Sequence, residues 1–280
     1  MQIQLLVCMQ TGQNERAEKS EQVGSPVSIV RSGSAFFDTK KTNWDTTLIT
    51  CSGFRFELCV VDREDLEHQI LAANRDDSVD GIIVYYPIFN NRQDQYLQQV
   101  VDISKDVEGL SHRYLFNMYQ NIRFLDEPGL QKSILPCTPL AVIKILEHLQ
   151  IYNTILPHGN RLFGHSITIV NRSEVVGRPL AALLANDGAC VYSVDVTGVQ
   201  QFSRGEGIQR NRHEIVEKED WTLENCCPLS DVVISGVPGD AYNFPVRLLR
   251  QGAVCINFSS EKACLPFSWC LHSPGHANAI

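Results

Sequence analysis

The stretch "IVNRSEVVGRPLAALLANDGACVYSVDV", residues 169–196, decides the fold. An apolar run enters a polar turn with one glycine, passes into a proline-led helix, and returns through a second apolar run that ends in aspartate. This β-α-β order opens a nucleotide-binding sheet, yet the G-x-G-x-x-G fingerprint is absent. Strand 166–170 delivers the chain to Asn171, Arg172 and Ser173. Pro179 sets φ for the first helical turn, and Gly177 permits close backbone approach. Free N–H groups at the helix N-terminus attract a pyrophosphate, with Ser173 adding a hydroxyl donor and Arg172 a charge. Gly188 is placed to cap the helix C-terminus. The second strand ends at Asp195, 18 residues beyond Gly177. In doubly wound folds an acid there bonds the adenosine ribose 2′-hydroxyl and repels a 2′-phosphate, which favours NAD over NADP. A solvated strand-end carboxylate is equally compatible with the pattern.

Outward from this stretch, the rest of the chain also reads as α/β. FRFELCVV (54–61) is a strand, and DREDLEHQILAAN (62–74) a helix capped by Asp62 with its apolar face at Leu66, Ile70 and Leu71. GIIVYYP (81–87) is a buried strand stopped by Pro87, and this β-α-β order argues for a parallel sheet. Residues 92–101 form a short helix. ILPCTPLAVIKILEHLQIY (134–152) starts a strong one, with Thr138 placed to cap it and Pro139 in its first turn. The polar stretch Pro157 to Asn160 is a plausible hinge. The strands DVVISGV (231–237) and AVCINF (253–258) complete the second series. Two α/β domains follow: residues 1–150, and residues 151–262 as a Rossmann-type parallel-sheet domain, with 263–280 as a tail.

Composition narrows the function. Of 280 residues, 44% are hydrophobic, enough for a sizeable core, and a net charge of −8 offers no footprint for nucleic acid or an anionic membrane. No apolar stretch approaches a membrane span, and MQIQLLVCMQ lacks the basic region of a signal peptide. The ten cysteines are scattered along a long chain, which fits reduced thiols in a cytoplasmic protein. Cys264, Cys270, His272 and His276 match no standard zinc spacing, so no metal is expected.

Read together and in order, DGIIVYYP, KDVEG, ILPCTPLA, NRSEVVGRPLAALLANDGA, DVVISGVP and GAVCINF resemble the methylenetetrahydrofolate dehydrogenase family, and in particular its fungal cytosolic NAD-dependent members. The match runs from about Gly53 to about Lys262. The resemblance implies an N-terminal folate-binding domain, a C-terminal Rossmann domain, an active site in the cleft between them, a homodimer and NAD as cofactor. It places Arg172 and Ser173 on the cofactor loop, Asp195 and Val196 at the adenosine ribose, and Phe258 and Ser259 on a further cofactor-contact segment.

On the folate side, the resemblance puts Cys137 at an active-site position, where a helix N-terminus favours thiolate; a small residue packing a tight turn is the other reading. Glu108 falls on an acid that hydrogen-bonds the pterin, with Asp106 its structural neighbour. Tyr85 stands where bifunctional members carry a glutamine, and Lys41 and Asp45 where they carry a tyrosine and a lysine. That glutamine and lysine serve hydrolysis of the methenyl product, so the expected reaction is oxidation of 5,10-methylenetetrahydrofolate without cyclohydrolase activity. Residues 1–45 and 263–280 depart from the family pattern and are expected to pack poorly. That leaves a second reading, a non-catalytic remnant that keeps NAD binding or dimerisation.

Overall fold

A computed structural model describes residues 25–32, 54–61, 63–89, 91–126, 129–205, 212–237 and 244–258. The chain forms two compact units, Arg16–Leu115 and the residues from Phe116 onward. The division falls on the N-terminal side of the boundary expected at residue 150.

The first unit contains strands β1 (Ser25–Ser32), β2 (Phe54–Val61) and β3 (Gly81–Val84). Their order is β2-β1-β3, with β1 antiparallel to both neighbours. This corrects the expected parallel pairing of β2 with β3: the two do run the same way, but β1 lies between them. It also corrects part of the reading of residues 1–45, because Val27 is paired with Cys59 on one side and with Val84 on the other. A strand hydrogen-bonded along both edges is an integral part of its sheet.

Helix α1 (Leu66–Arg75) buries Leu66, Ile70 and Ala73. These lie at i, i+4 and i+7 on one stripe; Leu71, expected in that stripe, is a quarter-turn away and only half-buried. The N-cap position is Asp65, without a side-chain cap, and Asp62 lies outside the described residues. Helix α2 (Arg92–Val100) is capped by Asn91, whose side chain accepts from Gln93 N at 2.7 Å. The two helices and β3 close a core of Leu66, Ile70, Val79, Ile82, Val84, Ile88, Leu97 and Val101. Helix α3 (His112–Tyr119), not anticipated from the sequence, spans the division between the units.

The second unit begins with helix α4 (Cys137–His148) and carries β4 (Ser166–Val170), helix α5 (Gly177–Asn186), β5 (Cys190–Asp195), β6 (Gly198–Arg204) and β7 (His213–Lys218). The short helix α6 (Leu223–Cys226), β8 (Val232–Ser235) and β9 (Val254–Asn257) follow. The sheet order is β7-β6-β5-β4-β8-β9. β5, β4, β8 and β9 are paired parallel, whereas the β5–β6 and β6–β7 pairings are antiparallel, so that β6 alone runs against the other strands. The all-parallel expectation therefore holds for four strands and fails for the added hairpin. The faint alternation in GVQQFSR leaves only Val199 and Phe202 to bury. Helix α5 is buried almost all round: Leu180, Ala181, Ala182, Leu184 and Ala185 are fully enclosed, so its apolar sequence reflects a position inside the domain.

Candidate functional site

The parallel strands β4, β5, β8 and β9 end at Val170, Asp195, Ser235 and Asn257. The carboxyl ends of such strands are where open α/β sheets bind ligands, and the residues singled out for the cofactor follow them directly. Gly177 is the pivot. A Cβ there would lie 2.0 Å from the carbonyl oxygen of Asn171, so α5 can start only with glycine at this position. The close approach is thus to the chain's own backbone. Asn171 takes φ +89° and ties the loop across the sheet, its Nδ2 donating to Gly236 O at 2.7 Å.

Ser173 caps the helix. Its Oγ accepts from Val176 N at 3.3 Å and Gly177 N at 3.2 Å, and its carbonyl accepts from Arg178 N at 3.0 Å. The first N–H groups of α5 are therefore satisfied internally, a correction to the expected anion cradle; Pro179 has no N–H to offer. Among the described residues, the N–H groups of Ser173, Glu174 and Val175 have no protein acceptor, and the Ser173 hydroxyl keeps its own proton to donate. Gly188, with φ +102°, follows the cap residue Asp187 and closes α5 as expected.

Asp195 is half-buried, and its carboxylate accepts from Arg172 N at 3.2 Å and Val196 N at 2.7 Å. Two backbone donors hold it in one orientation, which a merely solvated carboxylate does not require. The Val196 side chain is fully exposed. Arg172 does not reach outward. Its Nε donates to Ser193 Oγ (3.1 Å), its Nη1 to Thr197 Oγ1 (3.3 Å), and its Nη2 to Ser193 O (2.7 Å) and Gly198 O (2.8 Å). Phe258 is buried, and its ring fills the space where Gly236 lacks a side chain: a Cβ there would sit 1.9 Å from Phe258 Cζ. Ser259 lies outside the described residues, as do Lys41, Asp45, Cys264, Cys270, His272, His276, residues 1–24 and residues 263–280.

In the first unit, the KDVEG segment is fastened to β3. Ile82 N donates to Lys105 O at 2.8 Å, and the Lys105 ammonium caps α1 through Ala73 O, Asn74 O and Asp76 O at 3.0, 2.8 and 2.8 Å. Buried Asp106 accepts the N–H groups of Glu108, Gly109, Leu110 and Ser111, the structural role expected of it. The turn presents Glu108 to the end of β3, where its Oε2 accepts from Val84 N at 2.9 Å. Burial, and next the charge of Asp106, push the Glu108 carboxyl up to about 8 against the pull of the Val84 N–H. Tyr85 is half-buried just past β3. Its neighbour Tyr86, which no motif singles out, has a buried hydroxyl without a hydrogen-bond partner among the described residues. Burial, and then the charges of Glu108, Asp94 and Asp106, hold that phenol above its usual range.

In the second unit, Cys137 is the first residue of α4 and half-buried, with Sγ 3.9 Å from Thr138 Oγ1. Pro136 holds the cap position, so Thr138 lies inside the helix and makes no capping bond. Pro139 removes one N–H from the first turn, which lessens the need for a cap. Cys137, Cys190, Cys226, Cys227 and Cys255 are not joined in disulfides. Among the described residues no group of His, Cys, Asp and Glu is placed to hold a metal ion.

Gly177 makes the sharpest test of the cofactor loop. Alanine there meets backbone atoms, which cannot rotate away. Gly177→Ala is expected to cost roughly 3 kcal/mol of stability, read by denaturant unfolding; a loss below about 0.5 kcal/mol would contradict the packing of α5 against Asn171.

Comparison with known proteins agrees with this arrangement. Residues 27–108 match the tetrahydrofolate dehydrogenase/cyclohydrolase catalytic domain, and residues 136–205 match the NAD(P)-binding domain of the same family. The first match takes in β1, and so begins upstream of the Gly53 start expected from the motifs. The chain is 59% identical over 220 residues to the methylenetetrahydrofolate dehydrogenase [NAD(+)] of Schizosaccharomyces pombe, covering 79% of this chain and 68% of that protein. Identity to the Saccharomyces cerevisiae protein of the same name is 55% over 223 residues, 78% of this chain and 70% of the other. The solved structure of the NAD-dependent 5,10-methylenetetrahydrofolate dehydrogenase from Saccharomyces cerevisiae superposes with a TM-score of 0.75 at 54% identity, over 79% of this chain and 71% of that one. The chain belongs to the tetrahydrofolate dehydrogenase/cyclohydrolase family.

Proposed function

We propose that this chain oxidises 5,10-methylenetetrahydrofolate to the 5,10-methenyl form with NAD. The observation that carries the reading is the oriented Asp195 carboxylate at the end of β5, in a chain 55–59% identical to two proteins named for this NAD-dependent reaction. The residues present fit the cofactor. Asp195 is disposed toward a ribose diol, the unpartnered N–H groups of Ser173, Glu174 and Val175 suit a pyrophosphate, and Phe258 offers a fixed apolar wall. When bound, NAD supplies the hydride-accepting nicotinamide.

The chain's own residues bind, orient and exclude water. Loss of hydride from the methylene carbon leaves a cation delocalised over the two flanking nitrogens, so no protein nucleophile is needed; what counts is placement. Glu108 addresses the pterin. Tyr85, in place of an amide, leaves the folate without the group that would assist addition of water, so the methenyl product is released unhydrolysed. Residues 1–150 supply the folate side and 151–262 the cofactor side. The protein acts in the cytoplasm as a homodimer; among the described residues no helix is long and apolar enough to cross a membrane. The deciding assay supplies methylenetetrahydrofolate with NAD and follows reduced nicotinamide and methenyl absorbance together. Both should rise, and methenyl supplied alone should decay only at its spontaneous rate. Absence of NADH formation would favour the non-catalytic reading.

Glu108 makes folate binding depend on pH. Near neutrality its carboxyl holds a proton, yet the pterin N3–H and 2-amino group are donors best met by a carboxylate. Substrate binding should therefore expel that proton. KM for methylenetetrahydrofolate is expected to fall as pH rises toward about 8 and to level off above it. Glu108→Gln should raise KM and flatten the profile; an unchanged profile in that variant would remove Glu108 from the site.

Cys137 lies beside the folate without forming a bond to it. Thiol alkylation is expected to inactivate, with tetrahydrofolate protecting, while Cys137→Ser retains turnover. A folded but inactive serine variant would instead assign the thiol a covalent role.

A further inference from the structure

An exposed arginine on a cofactor loop ordinarily welcomes a phosphate. Arg172 is built otherwise. A guanidinium has five N–H donors in a planar fork, and it holds phosphate tightly by offering two of them along one edge. Four of the five are spent here: Nε on Ser193 Oγ, one on Thr197 Oγ1, and both of Nη2 on the carbonyls of Ser193 and Gly198. With a single N–H left, no edge retains a free pair. Ser193 is itself fully buried within β5, and Gly198 O belongs to the first residue of β6, so these partners are fixed by the sheet. The Arg172 backbone N–H meanwhile donates to Asp195, and one residue thereby sets both the β5–β6 turn and the orientation of the acid within it.

We propose that Ser193, Thr197 and Gly198 are specificity-determining residues: by consuming the Arg172 guanidinium within the β5–β6 turn they keep it off a 2′-phosphate, which is left to face the like charge of Asp195. Discrimination then has two parts: like charge from Asp195, and an arginine locked away by Ser193, Thr197 and Gly198. Replacing Asp195 removes only the first part. This inference rests on the reading of the site as an NAD site, and deepens it.

The test is fluorescence titration of purified full-length protein with NADH and NADPH. It reads the ratio of the two Kd values and does not depend on folate turnover. Wild type should bind NADH at least about tenfold more tightly. Asp195→Ser should reduce that preference toward parity without reversing it. Adding Arg172→Ala in the Asp195→Ser background should leave the ratio within about twofold, since the guanidinium is not on the phosphate; the ratio cancels any general loosening of the turn. Adding Ser193→Ala and Thr197→Ala instead frees the Nε–H and one Nη1 N–H, while both Nη2 N–H groups stay on backbone carbonyls; single N–H contacts to the phosphate then open and should move the ratio about fourfold toward NADPH, a gain that Arg172→Ala then abolishes. The proposal is overturned if Arg172→Ala alone weakens NADPH selectively in the Asp195→Ser background, or if the release variant shows no gain. Should the release variant not fold, the Arg172→Ala comparison alone decides. Failure of wild type to bind either nucleotide would sink the NAD-site reading itself, a result distinct from any change in the ratio.

Discussion

The second unit depends on one close approach, that of Gly177 to the carbonyl oxygen of Asn171, where even a methyl group would stand 2.0 Å away. Because the neighbour is backbone, no rotamer change relieves the contact. The loop between β4 and α5 is forced to turn tightly, which brings Ser173 under the helix to cap it and directs the Arg172 N–H to Asp195. A three-glycine loop makes room for a pyrophosphate at the helix N-terminus itself. With one glycine, the first helical N–H groups are satisfied internally, and the open donors lie one turn earlier, at Ser173 to Val175.

Asp106 organises the first unit in a comparable way. One buried carboxylate gathers four consecutive N–H groups from Glu108 to Ser111, while adjacent Lys105 caps α1 through three carbonyls. Both ends of the segment are thus held by charge-assisted bonds, which are stronger than neutral ones. Between them Glu108 has little freedom, and its half-buried carboxyl takes on a proton affinity unusual for an acid. The polar chemistry of this unit is set by a turn whose structure is itself polar.

Much of this was legible from residue type and spacing. Leu66 and Ile70 mark the buried stripe of α1, Asp195 ends its strand at the distance a ribose acid requires, Gly188 closes α5 with positive φ, and Asp106 beside Glu108 reads as a support. These are local relations, settled within a few turns of chain or one β-α-β unit. The misses have a common cause as well. Thr138 reads as a cap because threonine favours that place, but Pro136 occupies it. Leu71 reads as part of the apolar face of α1, whereas Ala73 is the residue that completes the buried stripe.

By itself, then, the sequence determined the class of fold, the tight loop before α5 and the acid that ends β5, because glycine, proline and aspartate act through constraints on their own backbone. Only the tertiary structure decided that β1 lies between β2 and β3, that a hairpin extends the parallel sheet, and where the Arg172 side chain is spent. Those outcomes rest on partners remote in the chain: Arg172 meets Ser193 and Gly198 from 21 and 26 residues away, and Asn171 meets Gly236 from 65. An arginine carries the same charge and the same five donors wherever it falls. Whether they greet a phosphate or hold a turn depends on which carbonyls the folded sheet brings within 3 Å, and spacing along the chain does not encode that.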